Sequence, residues 1–330
     1  MGSEAATRFF WGDSPEEEEY YASRGVRNRQ SYFASPHGRV FTQSFHPVVA
    51  EGEEIAAVKG CVFMSHGYGS DTGWLFQEIA INYATWGYAV YCADLLGHGR
   101  SDGLRCYLGD MEKVAAASLS FFLSVRADPA HAPLPAFLFG ESMGGAAALL
   151  MYLRSPPGAW TGLILSAPLL AMPEEMQPSR LRLFLFGLLF GLADTWPAMP
   201  DKKMVGKSIR DRDRLRVIAS NPRRYTGPPR VGTMRELARL CGYLQDSFPL
   251  VTAPFLALHG TEDGVTAPEG STMLYDRAAS ADKTLIVYDG FYHSLVQGES
   301  PDNSRRVLGD MRAWIDDRVA RYAHHANDTS

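Results

Sequence analysis

The chain has 330 residues, a formal net charge of −5 at pH 7, and 46% hydrophobic against 21% charged residues. That balance excludes a mostly disordered chain, and a whole-protein nucleic-acid binder would be expected to be basic. The four cysteines, Cys61, Cys92, Cys106 and Cys241, show neither C-x-x-C nor metal-ligand spacing. They read as reduced, buried thiols of a cytoplasmic protein.

Residues 1–28 are polar and acidic and read as an arm with little structure of its own. Pro15 is followed by Glu16, Glu17, Glu18 and Glu19, which does not suit the basic start and apolar core of a secretory signal. Ala6 stands where a myristoylation signal needs Ser or Thr. Ser31–Phe33, Pro36–Gly38 and Arg39–Phe45 read as strand, turn and strand, a hairpin. From residue 59 short apolar runs end in glycine-rich turns: Gly60–Ser65, Ala89–Ala93, Ala136–Phe139, Gly162–Ser166, Pro254–Leu258 and Thr284–Tyr288. Helical stretches are expected between or after them at 72–86, 110–126, 143–155, 267–280 and 302–322. Continuous apolar runs suit strands buried on both faces, so the pattern predicts an α/β fold with a mostly parallel sheet.

No strand is expected between Ala167 and Val251. The chain therefore divides into a core over 29–167, an inserted helical cap over 168–250, and the rest of the core over 251–330. The apolar stretch Leu181–Trp196 is interrupted by Arg182 and Asp194 and falls short of the roughly 20 residues that span a bilayer. It could still face a cleft or touch a membrane surface. Residues 200–240 carry 12 Lys and Arg against 4 acids, either a solvated face or a field that attracts a carboxylate or an anionic surface.

The sharpest signal is Phe139-Gly140-Glu141-Ser142-Met143-Gly144-Gly145. It is G-x-S-x-G directly after an apolar run and directly before a helical stretch, the context in which a strand turns sharply and exposes a serine. Ser142 is the predicted nucleophile. The N–H of Met143, opening the helix, is a predicted oxyanion donor. A serine needs a base, and on such a sheet the chain order is Ser, acid, His. Of the histidines after Ser142, His324 and His325 lie in the C-terminal tail and His259 ends an apolar run. His293 follows the last run in a loop and is the predicted base. Asp263 is the predicted acid, chosen over Glu262 and Asp289 because Gly264 suits a turn aimed at the His293 loop. In Ser65-His66-Gly67-Tyr68 the N–H of Tyr68 is the second expected oxyanion donor, with His66 bracing the loop. His66 and Asp71 also match H-x-x-x-x-D, a pattern associated with glycerolipid acyltransferases, read here as coincidence. Asp94–Ser101 is glycine-rich but lacks the spacing of a phosphate cradle and reads as scaffold. No cofactor and no metal cluster is expected.

These residues together resemble the α/β-hydrolase superfamily, in its monoglyceride-lipase-like branch. His66–Thr72, Ala93–Gly103, Gly109–Ala115, Phe139–Gly145, and the cap stretches Gly187–Trp196, Met204–Lys207, Ala219–Pro222 and Arg230–Glu236 are similar to plant caffeoylshikimate esterases. The resemblance implies a helical cap on the α/β-hydrolase core and a serine esterase that splits caffeoyl shikimate into caffeate and shikimate on the route to lignin. Monoacylglycerol lipase or lysophospholipase activity is the competing expectation, and a non-catalytic receptor on the same fold is a third. In animal monoglyceride lipases Glu and Arg usually occupy the places of Ser70 and Trp74, and a second histidine that of Val296, so the glycerol-binding lining is changed. Lys207 and Arg235, lying in family-like cap stretches, are the candidate contacts for a substrate carboxylate.

Overall fold

The computed structural model describes residues 17–48, 57–73, 75–173, 194–196 and 208–328. Eight strands form one sheet in the order β1-β2-β4-β3-β5-β6-β7-β8. They are β1 Val26–Ser35, β2 Gly38–Pro47, β3 Cys61–Ser65, β4 Ala89–Ala93, β5 Ala136–Glu141, β6 Gly162–Ser166, β7 Phe255–Gly260 and β8 Lys283–Tyr288. The hairpin β1–β2 is antiparallel to its neighbours, and β4 through β8 pair in parallel. This is the α/β-hydrolase fold.

The continuous apolar runs are explained by burial on both faces. On β3, Cys61 and Phe63 pack into one apolar layer while Val62 and Met64 pack into the other. Helices α1 Glu17–Ser23, α2 Phe76–Thr85, α3 Met111–Arg126, α4 Met143–Arg154, α5 Arg212–Ser220, α6 Val231–Ser247, α7 Pro268–Arg277 and α8 Pro301–Asp328, with a 3-10 turn at Phe248–Leu250, complete the described elements. The predicted strands and core helices lie within four residues of these bounds, except that β1 starts five residues earlier than expected and α8 runs six residues further. All four cysteines are free and buried.

One expectation needs correction. The described part of the N-terminal arm is ordered: α1 and the start of β1 lie within 17–28, and Tyr21 and Val26 are buried. The Tyr21 hydroxyl donates to Gln77 Oε1 at 2.6 Å. The acidic run masked two apolar anchors whose partners are distant in sequence.

Within the expected cap, the described residues form helices α5 and α6 and no strand of the sheet. The apolar run 183–192 lies outside the described residues. Helix α6 docks through buried Glu236, whose Oε1 accepts the Met111 N–H at 2.8 Å, satisfying a free donor in the first turn of α3. Among the described residues no helix is long and apolar enough to cross a membrane.

Candidate active site

Strand β5 ends at Glu141 and α4 begins at Met143, so Ser142 is the whole turn between them. It sits at φ 57° and ψ −124°, a conformation that a non-glycine residue keeps only when its surroundings impose it. The two motif glycines provide that constraint. A Cβ on Gly140 would lie 2.2 Å from the Gly144 carbonyl oxygen, and one on Gly144 would lie 2.2 Å from that of Ser65.

His293 lies in the loop after β8. Its Nε2 is 2.9 Å from Ser142 Oγ and its Nδ1 is 2.7 Å from Asp263 Oδ2. The loop is seated on the end of β7: a Cβ on Gly260 would lie 2.3 Å from the Phe291 carbonyl oxygen. Asp263 follows β7 and is buried, whereas Glu262 and Asp289 are exposed. The three predicted side chains thus come together in one line. Asp263 Oδ1 accepts the Val265 and Thr266 N–H groups at 2.7 and 3.0 Å. Burial alone would raise Asp263, but the His293 charge and the hydrogen bonds from His259 and His293 hold its carboxyl far below the usual range.

Burial alone would lower His293. The charge and hydrogen bond of Asp263, with the charge of Glu141, outweigh burial and raise it above the ordinary histidine value. A base must be neutral to take a proton, so activity should fall as pH drops through this raised value. In Asp263→Asn the burial remains and the counter-charge is gone, so the imidazole titration followed by NMR should move to lower pH. An unmoved titration would mean that Asp263 does not set the base.

The expected oxyanion side is built from β3 and its turn. Gly67 abuts the nucleophile, since a Cβ there would lie 3.2 Å from Ser142 Cβ and 3.6 Å from its Oγ. His66 is fully buried; its Nε2 accepts the Leu95 N–H at 3.0 Å, and its Nδ1 is 2.8 Å from the Gly67 carbonyl oxygen. It braces the loop, as expected. Among the described residues neither the Tyr68 nor the Met143 backbone N–H has a hydrogen-bond partner, which leaves both donors available. Asp94, in the glycine-rich segment read as scaffold, braces the same turn: its Oδ1 accepts the Thr72 N–H and hydroxyl, each at 2.7 Å.

Several residues near the site were not anticipated. Thr266 donates its hydroxyl to Asp263 Oδ2 at 2.8 Å, and His259 Nε2 lies 3.1 Å from the same oxygen. Gln297 donates to Glu141 Oε2 at 2.7 Å. Asp71 accepts from Asn221 at 3.1 Å and pairs with Arg223 at 3.2 Å, and the Tyr225 N–H donates to the Gly69 carbonyl at 2.9 Å. These contacts fasten residues 221–225 of the expected cap to the turn expected to hold the oxyanion. The H-x-x-x-x-D spacing was the one sequence signal pointing at Asp71.

The cap cations chosen from sequence fare differently. Arg235 makes a two-pronged ion pair with Asp194 at 2.7 and 2.8 Å, so its guanidinium is already engaged by a carboxylate. Lys207 and Trp74 lie outside the described residues. No group of His, Cys, Asp or Glu suited to a metal ion occurs among the described residues.

The family described as serine aminopeptidase, S33, matches residues 56–300. The chain belongs to this family. It is 62% identical over 313 residues to a caffeoylshikimate esterase of Arabidopsis thaliana, covering 95% of this chain and 92% of that one. It is 30% identical over 269 residues to a human monoglyceride lipase, covering 79% and 84% of the two chains. Among solved structures, a soluble variant of the Saccharomyces cerevisiae monoglyceride lipase superimposes with a TM-score of 0.74 over 88% of this chain and 95% of that one, at 20% identity. Membership in a serine hydrolase family and the Ser142–His293–Asp263 geometry agree: the chain is an enzyme with a serine nucleophile.

Proposed function

We propose that this enzyme is a cofactor-independent serine esterase that hydrolyses caffeoyl shikimate to caffeate and shikimate, in phenylpropanoid and lignin biosynthesis. The observation that carries the substrate is the 62% identity to the Arabidopsis relative over 95% of the chain. A match of that extent includes the cap as well as the core, and the cap is where substrate choice is expected to lie. The monoglyceride lipases stand at about half that identity.

In the proposed reaction Ser142 Oγ attacks the ester carbonyl as His293 Nε2 takes its proton. The Tyr68 and Met143 N–H groups stabilise the oxyanion of the tetrahedral intermediate. His293 then protonates the departing shikimate oxygen, leaving a caffeoyl ester on Ser142. Water, deprotonated by His293, attacks that ester; the second intermediate collapses, releases caffeate and restores the Ser142 hydroxyl. Asp263 keeps the imidazole in the tautomer that presents Nε2 to the serine. We place the enzyme in the cytoplasm, and assign any membrane contact to the apolar run of the cap.

The test is a side-by-side measurement of kcat/KM on caffeoyl shikimate and a monoacylglycerol. Caffeoyl shikimate should be preferred by more than about tenfold, the discrimination that a pocket fitted to one substrate readily supplies. A faster monoacylglycerol reaction would replace this reading with that of a monoacylglycerol lipase.

A further inference from the structure

Most described cap cations have a visible occupation. Arg214 is 3.8 Å from Glu78 and donates to the Val296 carbonyl. Arg223 pairs with Asp71, Arg235 with Asp194 and Arg239 with Glu236. Arg230 donates to the Arg105 and Thr195 carbonyls. Arg224 differs from these. Among the described residues its guanidinium has neither an ion pair nor a hydrogen bond, yet the residue is half-buried. Burial pulls its pKa below the usual arginine range, partly offset by the charge of Glu141. No nitrogen of Arg224 is among the described buried atoms that lack a partner, so the guanidinium still reaches solvent and is open to an anion.

Its position follows from its neighbours. Arg223 is pinned to Asp71 and Tyr225 to Gly69, so residue 224 is held beside the turn whose Gly67 touches Ser142. Its charge reaches Glu141, the residue before the nucleophile, and Glu141 in turn acts on His293. Glu141 is itself buried and accepts from Gln297, and among the described residues it makes no direct pair with Arg224.

We infer that Arg224 is a specificity-determining residue whose guanidinium receives the carboxylate of the substrate's alcohol half. The inference rests on the esterase reading above. It replaces a diffuse basic field with one cation, fixed by the clamp of Arg223 and Tyr225. Arginine suits the task because its planar fork can grip both oxygens of a carboxylate.

The experiment compares caffeoyl shikimate with its carboxylate methyl ester, in the wild type and in Arg224→Gln and Arg224→Lys. The readout is the ratio of kcat/KM for the acid over the methyl ester. A charge-assisted hydrogen bond corresponds to roughly a 10- to 150-fold change in that ratio. The wild type should favour the acid, Arg224→Gln should lose the preference, and Arg224→Lys should keep part of it. If Arg224 only balances Glu141, the variants will slow both substrates in proportion and leave the ratio unchanged, which overturns the inference. So does a wild type that turns over acid and methyl ester equally well. Failure to hydrolyse caffeoyl shikimate at all instead removes the esterase reading beneath it. Should the variants not fold, inhibition of the wild type decides: free shikimate must inhibit hydrolysis of the methyl ester at lower concentration than methyl shikimate does, and equal potency overturns the inference.

Discussion

Ser142→Ala and His293→Ala should each lower kcat by about 10⁶, and Asp263→Asn by about 10⁴, by analogy with triad proteases. The differences have a structural source. The serine and the histidine make and break bonds to the reacting atoms, whereas Asp263 acts through His293 Nδ1 at 2.7 Å. An asparagine amide at 263 can still accept the backbone N–H groups of Val265 and Thr266, but it carries no charge to support the imidazolium. Glu262→Gln and Asp289→Asn, at exposed positions, should stay near wild-type rates. If either of them loses activity while Asp263→Asn keeps it, the acid has been misassigned. A fluorophosphonate should label the wild type stoichiometrically and leave Ser142→Ala untouched. Steady turnover alongside that labelling separates an enzyme from a receptor that merely retains the triad.

Gly144→Ala should cost about 3 kcal/mol or more, the upper end for forcing an atom into a packed interior, and should lower kcat as well. The added methyl would lie 2.2 Å from the Ser65 carbonyl oxygen and 2.5 Å from that of His66. Neither is the far end of a flexible side chain; both belong to the backbone that leads into Gly67 and Tyr68. Relief of the clash must therefore move the expected oxyanion donor relative to Ser142, and stability and rate should fall together. Gly242→Ala is the control. It lies within helix α6, and a Cβ there meets nothing within 4 Å. Removing glycine from a helix interior should stabilise by up to about 1 kcal/mol. Thermal melts and kcat on the same two variants check the contrast. A Gly144→Ala protein with unchanged melting and unchanged rate would mean that the elbow is looser than its contacts indicate.

The cap explains why a charge count could not identify a substrate contact. Its surplus of Lys and Arg is real, but most of the described members are used inside the protein. Glu236 serves a helix terminus and Arg239 together, and Asp71 holds Asn221 and Arg223 at once. Asp71 meets its partners only because the fold brings distant segments together, whereas Glu236 and Arg239 are three positions apart on α6; in partial burial a charge without a partner would be costly.

Local features of the sequence determined the sheet strands, the elbow and the order of the three active-site residues. A strand buried on both faces must be apolar throughout, a strained turn between strand and helix needs glycines at fixed offsets, and each requirement acts within a few residues. The bracing role of His66 was expected because an oxyanion hole draws on the backbone and not the ring, and Asp263 was chosen over Glu262 from the glycine that follows it. Tertiary structure alone decided the rest. Gln297 reaches Glu141 across 156 positions, and Asp194 takes Arg235 across 41. Such contacts have no period and no spacing rule. Whether a charged side chain is satisfied, solvated or left without a partner depends on which other segments crowd around it, and only the folded chain sets that.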